Sequence, residues 1–195
     1  MVMWGAHGGS LLPPCDLAYR SMRDRGSATD AVLVTDRLTI RRFRDDDLDA
    51  LAEMYADPEV MRFLGGPRTR EDAATRLGWM IEEYESQPFD MWGIALREQN
   101  TLIGRCGIIR QELIHGPEHE IAYLLGRPWW GRGYATEAAA AVRDHARDEL
   151  GLGRLVSLID HTNFASQAVA RRIGMVYERD VVHEGHPVGM FVLEG

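Results

Sequence analysis

The segment Trp129-Trp130-Gly131-Arg132-Gly133-Tyr134-Ala135-Thr136-Glu137 constrains this chain more than any other. Before it, residues 119–125 alternate, with Ile121, Tyr123 and Leu125 on one side and Ala122 and Leu124 on the other, which predicts a strand. After it, residues 134–150 repeat at helical spacing, with Ala138, Ala141, Val142, His145 and Leu150 on the inner face. Strand, two-glycine turn and long helix in that order belong to α/β architecture. Glycine lets the backbone take left-handed dihedrals and lets a ligand approach it closely. The first amides of the helix have no internal partner and the macrodipole adds partial positive charge, so the turn suits a phosphate or pyrophosphate. Arg132 adds a charged contact, although a plain strand-to-helix turn carries the same signature. A dinucleotide turn fits poorly, because Thr136 stands where the third glycine of GxGxxG belongs and the surrounding order gives only one crossover.

The remaining patterns fill in one domain. From Val34, Leu38 and Ile40 alternate with Thr39 and Arg41, and Phe43 extends the series. Asp45, Asp46 and Asp47 open a helix carrying Leu48, Leu51, Met54 and Tyr55, which Pro58 ends. Val60, Met61, Phe63 and Leu64 form an apolar connection closed by Gly65, Gly66 and Pro67. Thr69 and Asp72 resemble a capping box ahead of a second helix with Ala73, Leu77, Met80, Ile81 and Tyr84 on one face. Residues 91–97 and 102–110 read as a hairpin, followed by a loop at 111–117 that Pro117 ends. Leu155 to Ile159 is apolar on both faces, as a central strand is. A helix at 163–173, with Ala165, Ala168, Val169 and Ile173 inside, and strands at 175–183 and 188–193 complete the order β-α-α-β-β-β-α-β-α-β-β. This is a mixed α/β domain over 34–195 built on one main sheet. Residues 1–33 are broken by Gly5, Gly8, Gly9, Pro13, Pro14 and Gly26 and read as an extension.

Composition narrows the function classes. At 195 residues and 45% hydrophobic, the chain supports one compact core. No apolar run is long enough for a membrane span, and a net charge of −8 disfavours nucleic acid as a partner. All 22 basic residues are arginine, which excludes lysine Schiff-base chemistry and a P-loop lysine. Cys15 and Cys106 are isolated, and no secretory signal is evident, so a reducing, cytoplasmic location is expected. Neither His115 with His119 nor His183 with His186 brings a third ligand at a known metal spacing, so no metal is expected.

A second segment, Asn163-Phe164-Ala165-Ser166, opens the next helix and Gly174 follows it. Asn163 is a good N-cap, and its amide also suits a polar ligand arm. Both helix N-termini follow neighbouring strands and can face one cleft.

Taken together, these segments resemble the GNAT superfamily of acyl-CoA-dependent N-acetyltransferases, in its Rim-type branch of ribosomal-protein N-terminal acetyltransferases. The resemblance spans about residues 34–193. It rests on Thr35-Asp36-Arg37-Leu38-Thr39-Ile40-Arg41, Val60-Met61-Arg62-Phe63-Leu64-Gly65-Gly66, Leu102-Ile103-Gly104, Glu120-Ile121-Ala122-Tyr123-Leu124 and Trp130 to Ala138. Asn163, Ser166, Arg172 and Gly174 follow at the expected offsets.

The resemblance implies acetyl-CoA as co-substrate and direct acetyl transfer to a primary amine, either a protein N-terminus or a small molecule. It places the pyrophosphate on Gly131, Arg132, Gly133, Tyr134, Ala135 and Thr136, with Trp130 where other branches carry Gln or Arg. It runs the pantetheine arm beside Tyr123, Leu124 and Leu125, against Asn163, with the Leu124 amide as the oxyanion donor. Glu120 is the expected base, with His119, His183, Glu184 and His186 as rivals. The tyrosine that many members use as acid is replaced by Ala170, which leaves Ser166 as the proton donor. The acceptor surface is expected from the first two helices, the Gly65-Gly66 loop and the closing hairpin. A homodimer is compatible with the branch. A CoA-binding sensor without turnover is the alternative reading, motivated by Ala170.

Overall fold

The computed structural model describes residues 31–84 and 91–195, so Cys15 and residues 1–30 of the expected extension lie outside it. Residues 31–33, assigned to that extension, instead open a first strand, β1 (Ala31–Val34), which the sequence pattern did not reveal. It pairs antiparallel with β2 (Leu38–Arg41). There follow α1 (Leu48–Ala56), α2 (Arg70–Glu83), β3 (Met91–Leu96), β4 (Leu102–Leu113), β5 (Gly116–Leu125), α3 (Tyr134–Asp148), β6 (Arg154–Ile159), α4 (Phe164–Arg172), β7 (Val176–His183) and β8 (His186–Glu194). The strands form one sheet in the order β1-β2-β3-β4-β5-β6-β8-β7, and among the described pairs only β5–β6 is parallel. The mixed α/β architecture expected from the sequence is present, with β6 central as its apolar faces require.

Alternation along the strands sorts the helices onto two faces. Trp92 of β3 meets His145 of α3 edge-on at 5.8 Å, and the Tyr123 hydroxyl of β5 donates to the Ser166 carbonyl of α4 at 2.9 Å. Those residues define the α3/α4 face. On the opposite face, the Arg105 guanidinium of β4 lies 5.6 Å from the Tyr55 ring of α1. Tyr84, after α2, accepts from the Phe43 amide and donates to the Met91 carbonyl. Alternation then puts Glu120, Ala122 and Leu124 on the α1/α2 face, and Ile121, Tyr123 and Leu125 on the other.

Local signals explain most elements. The Thr69–Asp72 capping box forms, with the Asp72 amide on Thr69 Oγ1 at 3.1 Å and the Thr69 amide on Asp72 Oδ2 at 2.9 Å. Asp47 does more than start a helix: it and Arg41 are 5% and 3% exposed and form a bidentate ion pair with both contacts at 2.7 Å.

The hairpin after β3 departs from expectation. Residues 111–113 and 116–117 are strand, not loop, and Pro117 pairs with Glu112. Proline is tolerated because β6 meets β5 only at Glu120, so the missing N–H near the start of β5 breaks no bond to that side. The buried positions of α3 are Ala138, Ala139, Val142 and Ala146, while Ala141 and His145 are half-buried. The expected inner face is the one that packs on the sheet, with Ala138 and Val142 buried, Ala141 and Leu150 against the core and His145 against Trp92; four consecutive alanines carry no periodic contrast, which is why the buried Ala139 went unrecognised. In α4 the buried positions are Gln167, Val169 and Ala170, and Ala165 is exposed. Gln167 is buried because its amide donates to the Asp160 and His161 carbonyls.

Candidate active site

The site begins where the sheet comes apart. β5 and β6 run parallel but pair at one position only, Glu120 with Val156, and diverge beyond it into a fork. Side chains replace the missing ladder. The Glu120 carboxylate reaches across to accept from the Leu158 amide of β6 at 3.0 Å, and its other oxygen accepts from Gln111 Nε2 of β4 at 2.6 Å. The Ser157 hydroxyl donates to the Ile121 carbonyl at 2.8 Å. Glu120 therefore forms the floor of the fork and opens onto the α1/α2 face. Burial pushes its carboxyl up to about 7, against the Leu158 and Gln111 hydrogen bonds, which favour the charged form, and the nearby Glu184 carboxylate adds to the rise.

The amides that line the fork follow from strand parity. The Gly126 amide donates to the Ile103 carbonyl of β4, and the β4–β5 register continues unbroken from there. Gly126, Leu124, Ala122 and Glu120 thus direct their backbone groups at β4. The β4 backbone meets Leu124 so closely that a Cβ on Gly104 would lie 2.3 Å from the Leu124 carbonyl oxygen, so only glycine fits there. This overturns Leu124 as the oxyanion donor, because its amide faces the sheet. Tyr123 and Leu125 have the opposite parity, and the Tyr123 amide is the first beyond the last β5–β6 bridge to face the fork. The Leu125 carbonyl is taken by Trp130 Nε1 at 2.8 Å.

At the far end of β5 lies the glycine turn. Gly131 and Gly133 hold φ of +73° and +82°, the left-handed conformation that glycine supplies at least cost. Gly133 is the N-cap of α3 and provides no side-chain cap, and the first intrahelical bond runs from the Glu137 amide to the Gly133 carbonyl. The Tyr134, Ala135 and Thr136 amides thus have no partner within the helix, in a turn whose three residues 131–133 are exposed. A cradle of this kind fits a pyrophosphate.

The turn is braced from the other end of the sheet, which the sequence did not disclose. Arg37, between β1 and β2, donates from its backbone amide and Nε to Glu137 at 3.1 and 2.7 Å, and from Nη1 to the Arg132 carbonyl at 3.0 Å. Its guanidinium also stacks 4.6 Å from the Tyr134 ring centroid, and the Thr35 hydroxyl donates to Glu137 at 2.6 Å. Partial burial would raise the Glu137 carboxyl, but these donors outweigh it and hold it below the usual range. An acid in the first helical turn with no partner nearby in sequence is the signal that could have suggested such a brace. Arg37→Ala is expected to weaken acetyl-CoA binding by about threefold to tenfold, modest because the pair is part-exposed, with little loss of thermal stability. Isothermal titration with acetyl-CoA checks it.

Asn163 caps α4, with Oδ1 accepting from the Ser166 amide at 3.1 Å, which leaves its Nδ2 for other contacts. The Ser166 hydroxyl makes no hydrogen bond among the described residues, and the Tyr123 bond to the Ser166 carbonyl ties β5 to α4. Ala170 is fully buried. Of the rival bases, burial and then Arg110 lower His119, whereas Glu184 lies within electrostatic range of Glu120. Cys106 is buried, with its thiol pushed up to about 12, which makes it unreactive. Among the described residues no cluster of His, Cys, Asp or Glu is arranged to hold a metal, and no helix is long and apolar enough to cross a membrane.

Residues 37–176 match the family described as the acetyltransferase (GNAT) domain. The uncharacterized N-acetyltransferase p20 of Bacillus licheniformis is 32% identical over 69% of this chain and 76% of its own. The crystal structure of an acetyltransferase from Agrobacterium tumefaciens superposes with a TM-score of 0.73 at 29% identity, covering 88% of this chain and 99% of that one. RimL, a ribosomal L7/L12 α-N-protein acetyltransferase solved with coenzyme A, has a TM-score of 0.68 at 20% identity over 84% of this chain and 97% of its own, a likeness of fold.

Proposed function

The chain belongs to the GNAT acetyltransferase family and is an acyltransferase, and on that premise we propose that it moves an acetyl group directly from acetyl-CoA to a primary amine. The observation that carries this reading is the pairing of an uncapped glycine turn with a forked sheet whose floor is a buried carboxylate. Acetyl-CoA supplies the activated thioester. Gly131, Arg132, Gly133, Tyr134, Ala135 and Thr136 hold the pyrophosphate through backbone amides. Tyr123 and Leu125 line the arm's path on β5, Leu124 supports them from behind, and Asn163 Nδ2 reaches the arm from α4.

Glu120 takes a proton from the amine as the new C–N bond forms, directly or through one water. The Tyr123 amide faces the oxygen that gains negative charge at the acetyl carbon. The Ser166 hydroxyl gives a proton to the sulfur as the C–S bond breaks. Free CoA and the acetylated amine leave. The acceptor is a peptide N-terminus or a small-molecule amine, reached from the α1/α2 face. The reading places the activity in the cytoplasm.

The test is release of the CoA thiol when the protein is mixed with acetyl-CoA and a panel of amines. Thiol release that depends on the amine, with a mass gain of one acetyl group on it, supports the reading. Binding of acetyl-CoA without release across the panel favours the sensor reading, in which the buried Ala170 marks a lost proton donor.

A further inference from the structure

Buried polar atoms in folded proteins are nearly always hydrogen-bonded, so exceptions point somewhere. Among the described residues the side-chain exceptions are Tyr55 Oη, Arg68 Nε and Arg105 Nε. They belong to one place. Arg105 lies 5.6 Å over the Tyr55 ring, the Arg68 amide donates to the Tyr55 carbonyl at 2.8 Å, and Arg76 of α2 is within electrostatic range of all three residues. Tyr55 is 1% exposed, and the three arginines are half-buried.

No ion pair forms at Arg68 or Arg105 among the described residues, although Arg68 Nη2 donates to the Leu64 carbonyl at 3.4 Å. Asp72 is within range of Arg68 and Arg76, and its Oδ2 is already taken by the Thr69 amide and hydroxyl in the helix cap. Burial first, then repulsion from Arg105 and Arg68, lowers Arg76. Holding Arg68 and Arg105 charged and half-buried, with no ion pair to either among the described residues, is costly.

The spot faces the site. Arg105 stands on β4 opposite Leu124, on the same side of the sheet as Glu120. The connection between α1 and α2 spans the open end of the fork: Arg68 packs against α1, and Arg62 lies within range of Asp160 beyond β6. Glu184, at the β7–β8 turn, is within range of Glu120. An incoming acceptor therefore meets acid at the fork floor and base on its β4 side.

We propose that Arg68 and Arg105, with the Tyr55 hydroxyl, form an anion subsite for the acceptor, so that the substrate is an amine that also carries a carboxylate or a similar anionic group. This rests on the acetyl-transfer reading above. The ammonium end is drawn to Glu120 and Glu184, and the anionic end satisfies the donors that the fold leaves open.

The test uses two matched acceptors, the dipeptide alanyl-glutamate and alanyl-glutamine amide, which carries the same amine and no carboxylate, with the full chain. The acidic dipeptide should have a kcat/KM about tenfold to a hundredfold higher. Arg105→Gln and Arg68→Gln should raise its KM by about the same factor, leaving kcat, use of the carboxylate-free acceptor and acetyl-CoA affinity unchanged. Arg105→Lys keeps the charge and should retain most of the preference, which separates charge from packing. Equal use of the two acceptors, or preference for a polyamine, overturns the subsite while acetyl transfer stands. A loss of acetyl-CoA affinity in Arg105→Gln also overturns it, by assigning the arginines to a CoA phosphate. Calorimetric binding of the acidic dipeptide to the CoA complex, lost in Arg105→Gln, supports the subsite even if no acceptor is acetylated, an outcome that sinks the transfer reading alone.

Discussion

Gly133→Leu is expected to abolish acetyl-CoA binding, lowering affinity by at least about a hundredfold, the loss of two or more charge-assisted hydrogen bonds. Gly133 sits at φ +82° as the N-cap of α3, and a Cβ there would lie 3.4 Å from Arg37 Nη2. A side-chain-bearing residue either pays about 1–2 kcal/mol to stay left-handed or turns the peptide planes away. In the first case leucine projects over the amides of the first turn, and in the second those amides no longer converge. The Cβ itself makes only ordinary contact with Arg37, but the atoms beyond it crowd the side chain that braces Glu137 and the Arg132 carbonyl. Gly131→Ala is the contrasting variant. Its φ is +73°, but nothing lies within 4 Å of the added Cβ, so it carries only the conformational cost and a smaller loss of affinity. Thermal melts of both variants should fall by only a few degrees, which separates a broken cradle from a broken fold. Undiminished affinity in Gly133→Leu would remove the turn from the CoA site.

Glu120→Gln is expected to lower kcat by about a hundredfold to ten-thousandfold, the usual contribution of a positioned base, with acetyl-CoA affinity unchanged. The pH dependence is the sharper readout. With its carboxyl at about 7, Glu120 is protonated and unable to accept a proton below that pH, so kcat/KM should fall about tenfold per pH unit on the acid side. The substitution should remove that limb. The same shift enters stability. The folded carboxyl sits near 7 and the unfolded one near 4.5, so between those values the folded state holds a proton that the unfolded state has lost. Glu120 therefore favours folding most below pH 4.5, and that contribution is lost as pH rises through 7, a change of about 3 kcal/mol. Glutamine at 120 keeps its Oε1 on the Leu158 amide, and its NH2 group is matched only if the Gln111 amide turns to offer its oxygen. Some loss of melting temperature is expected, and kcat is therefore compared well below the melting transition. A flat pH profile in the unsubstituted protein would reassign Glu120 to holding the fork open.

Features legible in the sequence are those where a local rule acts alone. Two glycines between a strand and a helix specify a left-handed turn, and Thr69 with Asp72 specifies a cap. Asn163 met its capping expectation for the same reason. Features that were not legible depend on partners remote in sequence. Gln111 was hidden because Pro117 suggested a loop, and proline is harmless where a strand edge has no partner. Arg37 and Glu137 meet only once the sheet has closed. The choice between the Leu124 and Tyr123 amides turns on one hydrogen bond, from Gly126 to Ile103, that sets the parity of the whole strand. Ser157 had a signal, a lone hydroxyl inside an otherwise apolar strand, which marks where the ladder needs a side chain to replace a backbone bond.

The most direct test of the account is calorimetric titration of the full chain with acetyl-CoA, with NAD as the control. The account predicts one-site, micromolar binding of acetyl-CoA and none of NAD, and stabilisation by about 2.7 kcal/mol at 100 times the dissociation constant. Absence of acetyl-CoA binding, or equal binding of NAD, would contradict it.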